Sequence, residues 1–144
     1  MKIRIKKLTD TARLPSYGTA YAAGADLYSD EGDITVAPGE THLFHTGLSI
    51  EIPEGYAGFV HARSGMATKR GLAPANKVGV IDADYRGEIM VALHNHSGEP
   101  QTVEAGERIA QLVVAPFLKA EFEEAEELTD TDRGEGGFGS TGTL

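Results

Sequence analysis

The sequence predicts an all-β domain. Three observations lead there: apolar and polar residues alternate in short runs, turn-forming residues separate those runs, and only one stretch has helical end signals. Period-two alternation sends successive side chains to opposite faces, so each run reads as a strand half-buried against a core. Many short strands with regular turns fit a sandwich, barrel or jelly roll.

Taken in order, Ile3 and Ile5 alternate with Lys2, Arg4 and Lys6, and Leu48, Ile50 and Ile52 alternate with Ser49 and Glu51. Ile89, Val91 and Leu93 continue the pattern, and residues 109–114 form a more continuous apolar run. Pro38-Gly39, Pro53-Glu54-Gly55, Ser97-Gly98-Glu99-Pro100 and Ala105-Gly106 supply the turns between them. The one helix is expected over residues 65–70, with Ser64 as its cap, Gly71 as its stop, and Lys69 and Arg70 at the negative end of its dipole. Residues 79–89 read as a β-hairpin, an apolar strand running into Asp82, Asp84 and Tyr85 before the next alternating strand. No internal repeat is evident.

The 144 residues suit one domain with a real core. Absence of cysteine removes disulfides, thiolate metal sites and cysteine nucleophiles. No apolar run approaches the ~20 residues of a membrane span, and residues 1–7 lack the apolar stretch of a signal peptide. The expectation is a soluble, cytoplasmic protein with no membrane partner, in which the sequon Asn95-His96-Ser97 meets no glycosylation machinery.

The net charge of −9 is unevenly placed. Residues 1–120 carry 12 basic and 14 acidic groups, whereas residues 121–144 carry one arginine against eight acidic groups. A nearly neutral body without a basic face is not that of a bulk nucleic-acid binder, whose affinity comes from neutralising phosphates. The organisation expected is a β body over 1–120, an acidic extended connector over 121–132, and a mobile arm over 133–144. Glycine makes up 18 of the 144 residues, and five of these fall within 133–144, which leaves that arm little side chain to bury.

Several stretches could carry chemistry. The arm sets one arginine, Arg133, and one aromatic, Phe138, among glycines and the hydroxyls of Ser140 and Thr141. Glycines let backbone N–H groups approach phosphates, and the arginine offers a bidentate fork, so the arm could close over an anionic aromatic ligand such as a nucleotide. The bland alternative is a disordered end. Gly134, Gly136 and Gly139 match G-x-G-x-x-G, but no βαβ unit surrounds them. Arg63 and Ser64 at the mouth of the helix are either an anion site or an ordinary cap. Asp82 and Asp84 share a face if the chain there is extended, and a turn would separate them. Gln111, polar within an apolar strand, needs a hydrogen-bond partner if buried. His94 and His96 could share a strand face and bind a metal, but no third ligand stands nearby.

Together, residues 23–27, 63–67, 79–87, 106–112 and 133–142 occur in the order and approximate spacing of the five motifs of dUTPase. The chain resembles the homotrimeric dUTP diphosphatase family over nearly its full length. Gly79-Val80-Ile81-Asp82-Ala83-Asp84-Tyr85-Arg86-Gly87 and the arm are the specific matches. Where this sequence has Ala62 and Met66, the family commonly has proline and leucine; those departures touch packing and spare Arg63 and Ser64.

The resemblance implies a distorted jelly roll, or β-clip, with one short helix and an extended C-terminal arm. It implies a homotrimer with shared active sites, in which the arm closes over a neighbour's site. The implied reaction is hydrolysis of dUTP to dUMP and pyrophosphate with Mg²⁺, which limits uracil incorporation into DNA and supplies dUMP for dTMP synthesis. Asp82 would orient and deprotonate the water attacking the α-phosphorus. Arg63, Ser64 and Gly65 would cradle the α- and β-phosphates, with Gln111 near the phosphates and the water. Arg133, Ser140 and Thr141, with Gly139, would hold the γ-phosphate, and Phe138 would stack on uracil. Asn76 and the backbone from Gly79 would read the uracil edge, and Tyr85 under the sugar would exclude a ribose. Asp26 would reach the metal only through water. Alternatives within the fold are a dCTP deaminase, alone or bifunctional with dUTPase, and a nucleotide-sensing or partner-binding protein.

Overall fold

The alternating runs become strands of three antiparallel sheets in the computed structural model, which describes residues 1–139. In chain order these are β1 (Arg4–Lys7), β2 (Ser16–Tyr17), β3 (Ala25–Tyr28), β4 (Ile34–Val36), β5 (Thr41–Glu51) and β6 (Tyr56–His61). The helix α1 (Ser64–Arg70) follows, then β7 (Leu72–Pro74), β8 (Gly79–Ile81), β9 (Glu88–Asn95), β10 (Gln101–Val103) and β11 (Arg108–Pro116). One sheet has the order β1-β5-β9-β7, a second the order β2-β3-β11-β6-β8, and β10 pairs with β4. Two larger antiparallel sheets joined by connections that cross from one to the other make the distorted jelly roll.

The core lies where the alternation places it. Leu48, Ile50 and Ile52 are buried while Ser49 and Glu51 between them are half-buried, and Ile89, Val91 and Leu93 are buried beside the exposed Met90. Phe44, Leu27, Leu72, Ile109 and Val103 complete the fully enclosed centre, with Ile3 and Ile5 packed partly against it.

Two local expectations are corrected. First, residues 79–89 are not a hairpin. β8 pairs with β6 (Val60 with Gly79, Gly58 with Ile81), whereas β9 pairs with β5 and β7, so the loop between them crosses from one sheet to the other. Alternation records which face a side chain takes and says nothing about which strand lies alongside. Second, Ser64 is the first helical residue; the cap position belongs to Arg63, whose backbone is extended and whose side chain makes no capping bond. That guanidinium is committed elsewhere, to Asp26. Gly71 ends the helix as expected, in the left-handed conformation (φ 68°) with its N–H donating back to the last turn.

Asn95 ties the end of β9 to its surroundings. It is fully buried, its Nδ2 donates to the carbonyls of Val36 (2.9 Å) and Glu99 (2.8 Å), and its Oδ1 accepts from the Ser97 N–H (2.9 Å) and hydroxyl (2.7 Å). The asparagine of the sequon is therefore a structural brace. Asn95→Ala should lower unfolding free energy by about 1–3 kcal/mol, because it strands the buried Val36 carbonyl without a partner. Thermal and urea unfolding check this; an unchanged midpoint would contradict the brace.

Candidate active site

Two groups of polar residues stand out, both anchored on β6. The first surrounds a cavity of about 290 Å³, of a size for a nucleoside, lined by Asn76, Gly79, Asp82 and Tyr85 over an apolar floor that includes Val60, Ile81 and Val91. The chain reverses at residues 74–78, with the Lys77 N–H donating to the Pro74 carbonyl (3.0 Å) and Lys77 itself at φ 67°. That reversal brings Asn76 back beside Gly79. A Cβ on Gly79 would sit 3.3 Å from both Asn76 Nδ2 and Val60 Cβ, so the approach there is already close.

Beyond β8 the Tyr85 N–H donates to the Asp82 carbonyl (3.1 Å) and the Tyr85 hydroxyl to the Glu88 carbonyl (2.8 Å). The ring lies on Gly87, where a Cβ would stand 2.4 Å from the Tyr85 oxygen. The turn separates the two acids: Asp82 lines the cavity, and Asp84 faces an outer surface with Lys2, Arg4 and Arg86.

The second group sits on the outer face of β3 and β11 and at the start of α1. Asp26 lies opposite Gln111, which lies opposite His61. Gln111 Nε2 donates to the Ala62 carbonyl (2.9 Å), which answers the demand of a polar group within an apolar strand. Arg63 Nε donates to Asp26 Oδ1 (2.9 Å), and Arg108 Nη1 donates to Asp26 Oδ2 (3.2 Å). One carboxylate thus holds two guanidinium groups, and the group carries a surplus positive charge. Ser64 and Gly65 are exposed beside it, and a Cβ on Gly65 would meet nothing within 4 Å, so packing does not demand glycine there.

A single chain does not bring the two groups together. Asp82 follows Ile81, the partner of Gly58, whereas Gln111 pairs with His61 on the opposite edge of β6. Two strand spacings across and about four residues along separate their backbones by about 16 Å. Among the described residues, the C-terminal segment makes no hydrogen bond to either group. Its last hydrogen bond to the body, among the described residues, runs from the Phe117 N–H to the Gly55 carbonyl (3.1 Å). Arg133 Nε donates to the Gly136 carbonyl (2.7 Å), and Phe138 is fully exposed, with Gly139 in the left-handed region. Ser140 and Thr141 lie outside the described residues.

The histidines form no metal site: among the described residues no three ligating side chains cluster. His94 and His96 meet edge to face at 4.5 Å, and desolvation, then His94 and Lys77, hold the His96 imidazole below its ordinary pKa. His45 is held above its ordinary pKa by its hydrogen bond to Glu88, opposed by desolvation and aided by the charges of Glu88 and Glu31. No helix among the described residues is long and apolar enough to cross a membrane. Arg108 is the residue that sequence reasoning missed, because only a register shift in β11 brings it beside Asp26.

A jelly-roll body with a nucleoside-sized pocket and an arginine-lined face suits a small phosphorylated ligand. A protein-family model described as dUTPase matches residues 10–142. The deoxyuridine 5'-triphosphate nucleotidohydrolase of Nautilia profundicola is 54% identical over 142 residues, covering 99% of both chains. The solved Staphylococcus bacteriophage 80alpha dUTPase with dUPNHPP superposes with a TM-score of 0.89 at 31% identity, covering 99% of each chain. A mutant dUTPase from phage phi11 of S. aureus, solved for the coordination of a structural Mg(II) ion, has a TM-score of 0.79 at 26% identity over 88% of this chain and 98% of its own. The chain belongs to the dUTPase family.

The position of Gln111 is testable through its neighbour. A Cβ on Gly24 would stand 2.4 Å from Gln111 Oε1 and 3.1 Å from its Cβ, so Gly24→Ala displaces that side chain. The expected outcome is a fall in dUTP turnover of about tenfold, from misplacement near the reacting groups, with the melting midpoint nearly unchanged. Full turnover would show that Gln111 needs no such placement.

Proposed function

We propose that the chain hydrolyses dUTP to dUMP and pyrophosphate in the cytoplasm, at sites built from more than one copy of itself. The observation that carries this reading is the convergence of Asn76, Gly79, Asp82 and Tyr85 on one nucleoside-sized cavity. The separation of that cavity from Arg63 and Gln111 along β6 supports shared sites. One chain supplies the nucleoside pocket and Asp82, a second supplies Arg63, Ser64, Gly65 and Gln111, and the trimer is the closed assembly that repeats this contact. The body spans 1–120, the acidic connector 121–132, and the arm from 133 carries Arg133, Phe138, Gly139, Ser140 and Thr141 to a neighbouring site.

In this mechanism the deoxyuridine enters the cavity base first. Asn76 and the backbone at Gly79 present hydrogen-bonding groups to the uracil edge, and a cytosine would set donors against donors, leaving buried groups unpaired. Tyr85, fixed by Gly87 behind it and by Glu88, lies where the sugar must pass and leaves no space for a ribose 2′-hydroxyl. Asp82 accepts a proton from the attacking water. A carboxylate is a weak base at neutral pH, so most of its value lies in holding the water in line with the α-phosphorus, with base assistance of roughly 10²–10⁴-fold. Arg63 and Ser64 donate to the phosphate oxygens. The arm then covers the site, Phe138 on the base and Arg133 on the γ-phosphate, and excludes bulk water.

The donor set suits Mg²⁺ carried by the triphosphate. Both oxygens of Asp26 are engaged by guanidinium groups and no carboxylate cage exists among the described residues, so the protein's contact to the ion runs through water at Asp26. When bound, the ion neutralises charge on the triphosphate and its pyrophosphate leaving group.

A pyrophosphate-release assay with dUTP and Mg²⁺ tests the assignment. Asp82→Asn should lose turnover by roughly 10²-fold or more while still binding nucleotide, and a chain ending at Asp132 should lose most turnover while keeping its assembly. Equal rates for both and for the intact chain would overturn the mechanism. Substrate choice is a separate check: dCTP, dTTP and UTP should turn over at least roughly 10²-fold more slowly than dUTP. Comparable rates would contradict the pocket assignment, and ammonia released from dCTP would indicate a deaminase instead.

A further inference from the structure

Strand β11 carries an irregularity with a chemical consequence. Its pairing with β3 is regular at Gln111 with Asp26 and at Ala110 with Leu27, but the next partner of Tyr28 is Arg108 and not Ile109. The extra residue is a β-bulge, a device that re-aims a side chain. Ile109 and Ala110 are both completely buried, although neighbours in a regular strand would point to opposite faces. The bulge lets both enter the core and turns Arg108 onto the outer face, alongside Asp26, Tyr28 and Gln111. In an unbroken register Arg108 would point inward.

The side chain that the bulge places there is unfinished business for the fold. Among the described residues Arg108 makes one side-chain hydrogen bond, Nη1 to Asp26 Oδ2 at 3.2 Å, and it is half exposed. Most of its five-donor fork therefore faces solvent. Its backbone carbonyl accepts from Arg63 Nη1 (3.4 Å), and Arg63 Nε holds the other oxygen of Asp26. Asp26 thus grips two guanidinium groups side by side, one oxygen each, and neutralises only one of them. Arg13 adds a further cation nearby, its guanidinium 5.7 Å from the centre of the Tyr28 ring. Two arginines held adjacent with open donors match a ligand with several adjacent anionic oxygens, and match a neutral or singly charged one poorly.

We propose that Arg108 is a second triphosphate-binding cation, aimed by the β-bulge and clamped beside Arg63 by Asp26. The inference rests on the dUTP reading above, and assigns to Arg108 a direct contact with the phosphate chain. Asp26 on this account spaces the two arginines, and its water-mediated reach to Mg²⁺ is a secondary task.

The test compares a ligand with the phosphate chain to one without it. Binding of the non-hydrolysable α,β-imido analogue of dUTP with Mg²⁺ is measured by calorimetry, and binding of deoxyuridine by NMR titration, for the intact protein, Arg108→Gln and Arg108→Lys. Charge-assisted hydrogen bonds lead us to expect that Arg108→Gln weakens the analogue about tenfold or more and leaves deoxyuridine within about twofold. Arg108→Lys keeps the charge without the fork and should fall between the two. If Arg108→Gln does not fold, Arg108→Lys decides alone, through a loss confined to the analogue. Unchanged analogue binding, or equal losses for both ligands, would overturn the proposal and leave the dUTP reading intact. Failure of the intact protein to bind the analogue would overturn the dUTP reading and this proposal together.

Discussion

Strand β6 is the constraint on which the rest of the structure depends. It hydrogen-bonds on both edges, to β11 and to β8, and the two registers differ in where they place chemistry. Toward its C-terminal end the β11 register sets Gln111 against His61, and the chain then delivers Arg63 to Asp26. Toward the other end the β8 register sets Ile81 against Gly58 and releases Asp82 into the cavity lined by Asn76, Gly79 and Tyr85. Backbone hydrogen bonds fix this separation of the two ends. The proposed sharing of sites between copies follows from this separation of the two ends.

Electrostatics follow the same division. The body is close to neutral overall, yet its outer face on β3 and β11 gathers two arginines on one aspartate. The pocket end offers two carboxylates, Asp82, which makes no ion pair among the described residues, and Glu88, which is paired with His45. Most of the excess negative charge, seven of the nine, lies in residues 121–144. The two arginines on one aspartate leave a local surplus of positive charge on that face.

Much of this was legible in the sequence, for identifiable reasons. The burial of Leu48, Ile50 and Ile52, and of Ile89, Val91 and Leu93, follows from period-two alternation, and Gly71 announces the end of α1. Asn76, Gly79, Asp82 and Tyr85, which the family resemblance singles out, line one cavity. Pairing was not legible: residues 79–81 look like the first arm of a hairpin with residues 88–95, but their partner is β6, because alternation encodes a face and not a neighbour. The bulge at Arg108 was hidden for the same reason, since Arg108-Ile109-Ala110 reads as ordinary strand until a register is known. Asn95 reads in the sequence only as part of a sequon, because its buried partner, the Val36 carbonyl, lies 59 residues away on β4. The arm's residues were nominated by type, glycine, arginine and phenylalanine, and no body contact among the described residues bears on their role.

The central claim is that Asp82 and Arg63 of one chain serve different sites. Subunit mixing tests it most directly: Asp82→Asn chains and Arg63→Gln chains, each assayed alone and after being unfolded and refolded together. The account predicts that each variant alone is nearly inactive and that the mixture regains a substantial share of dUTP hydrolysis, because some sites then combine an intact Asp82 from one chain with an intact Arg63 from another. A mixture no more active than its separate components, in assemblies shown to contain both chains, would contradict it.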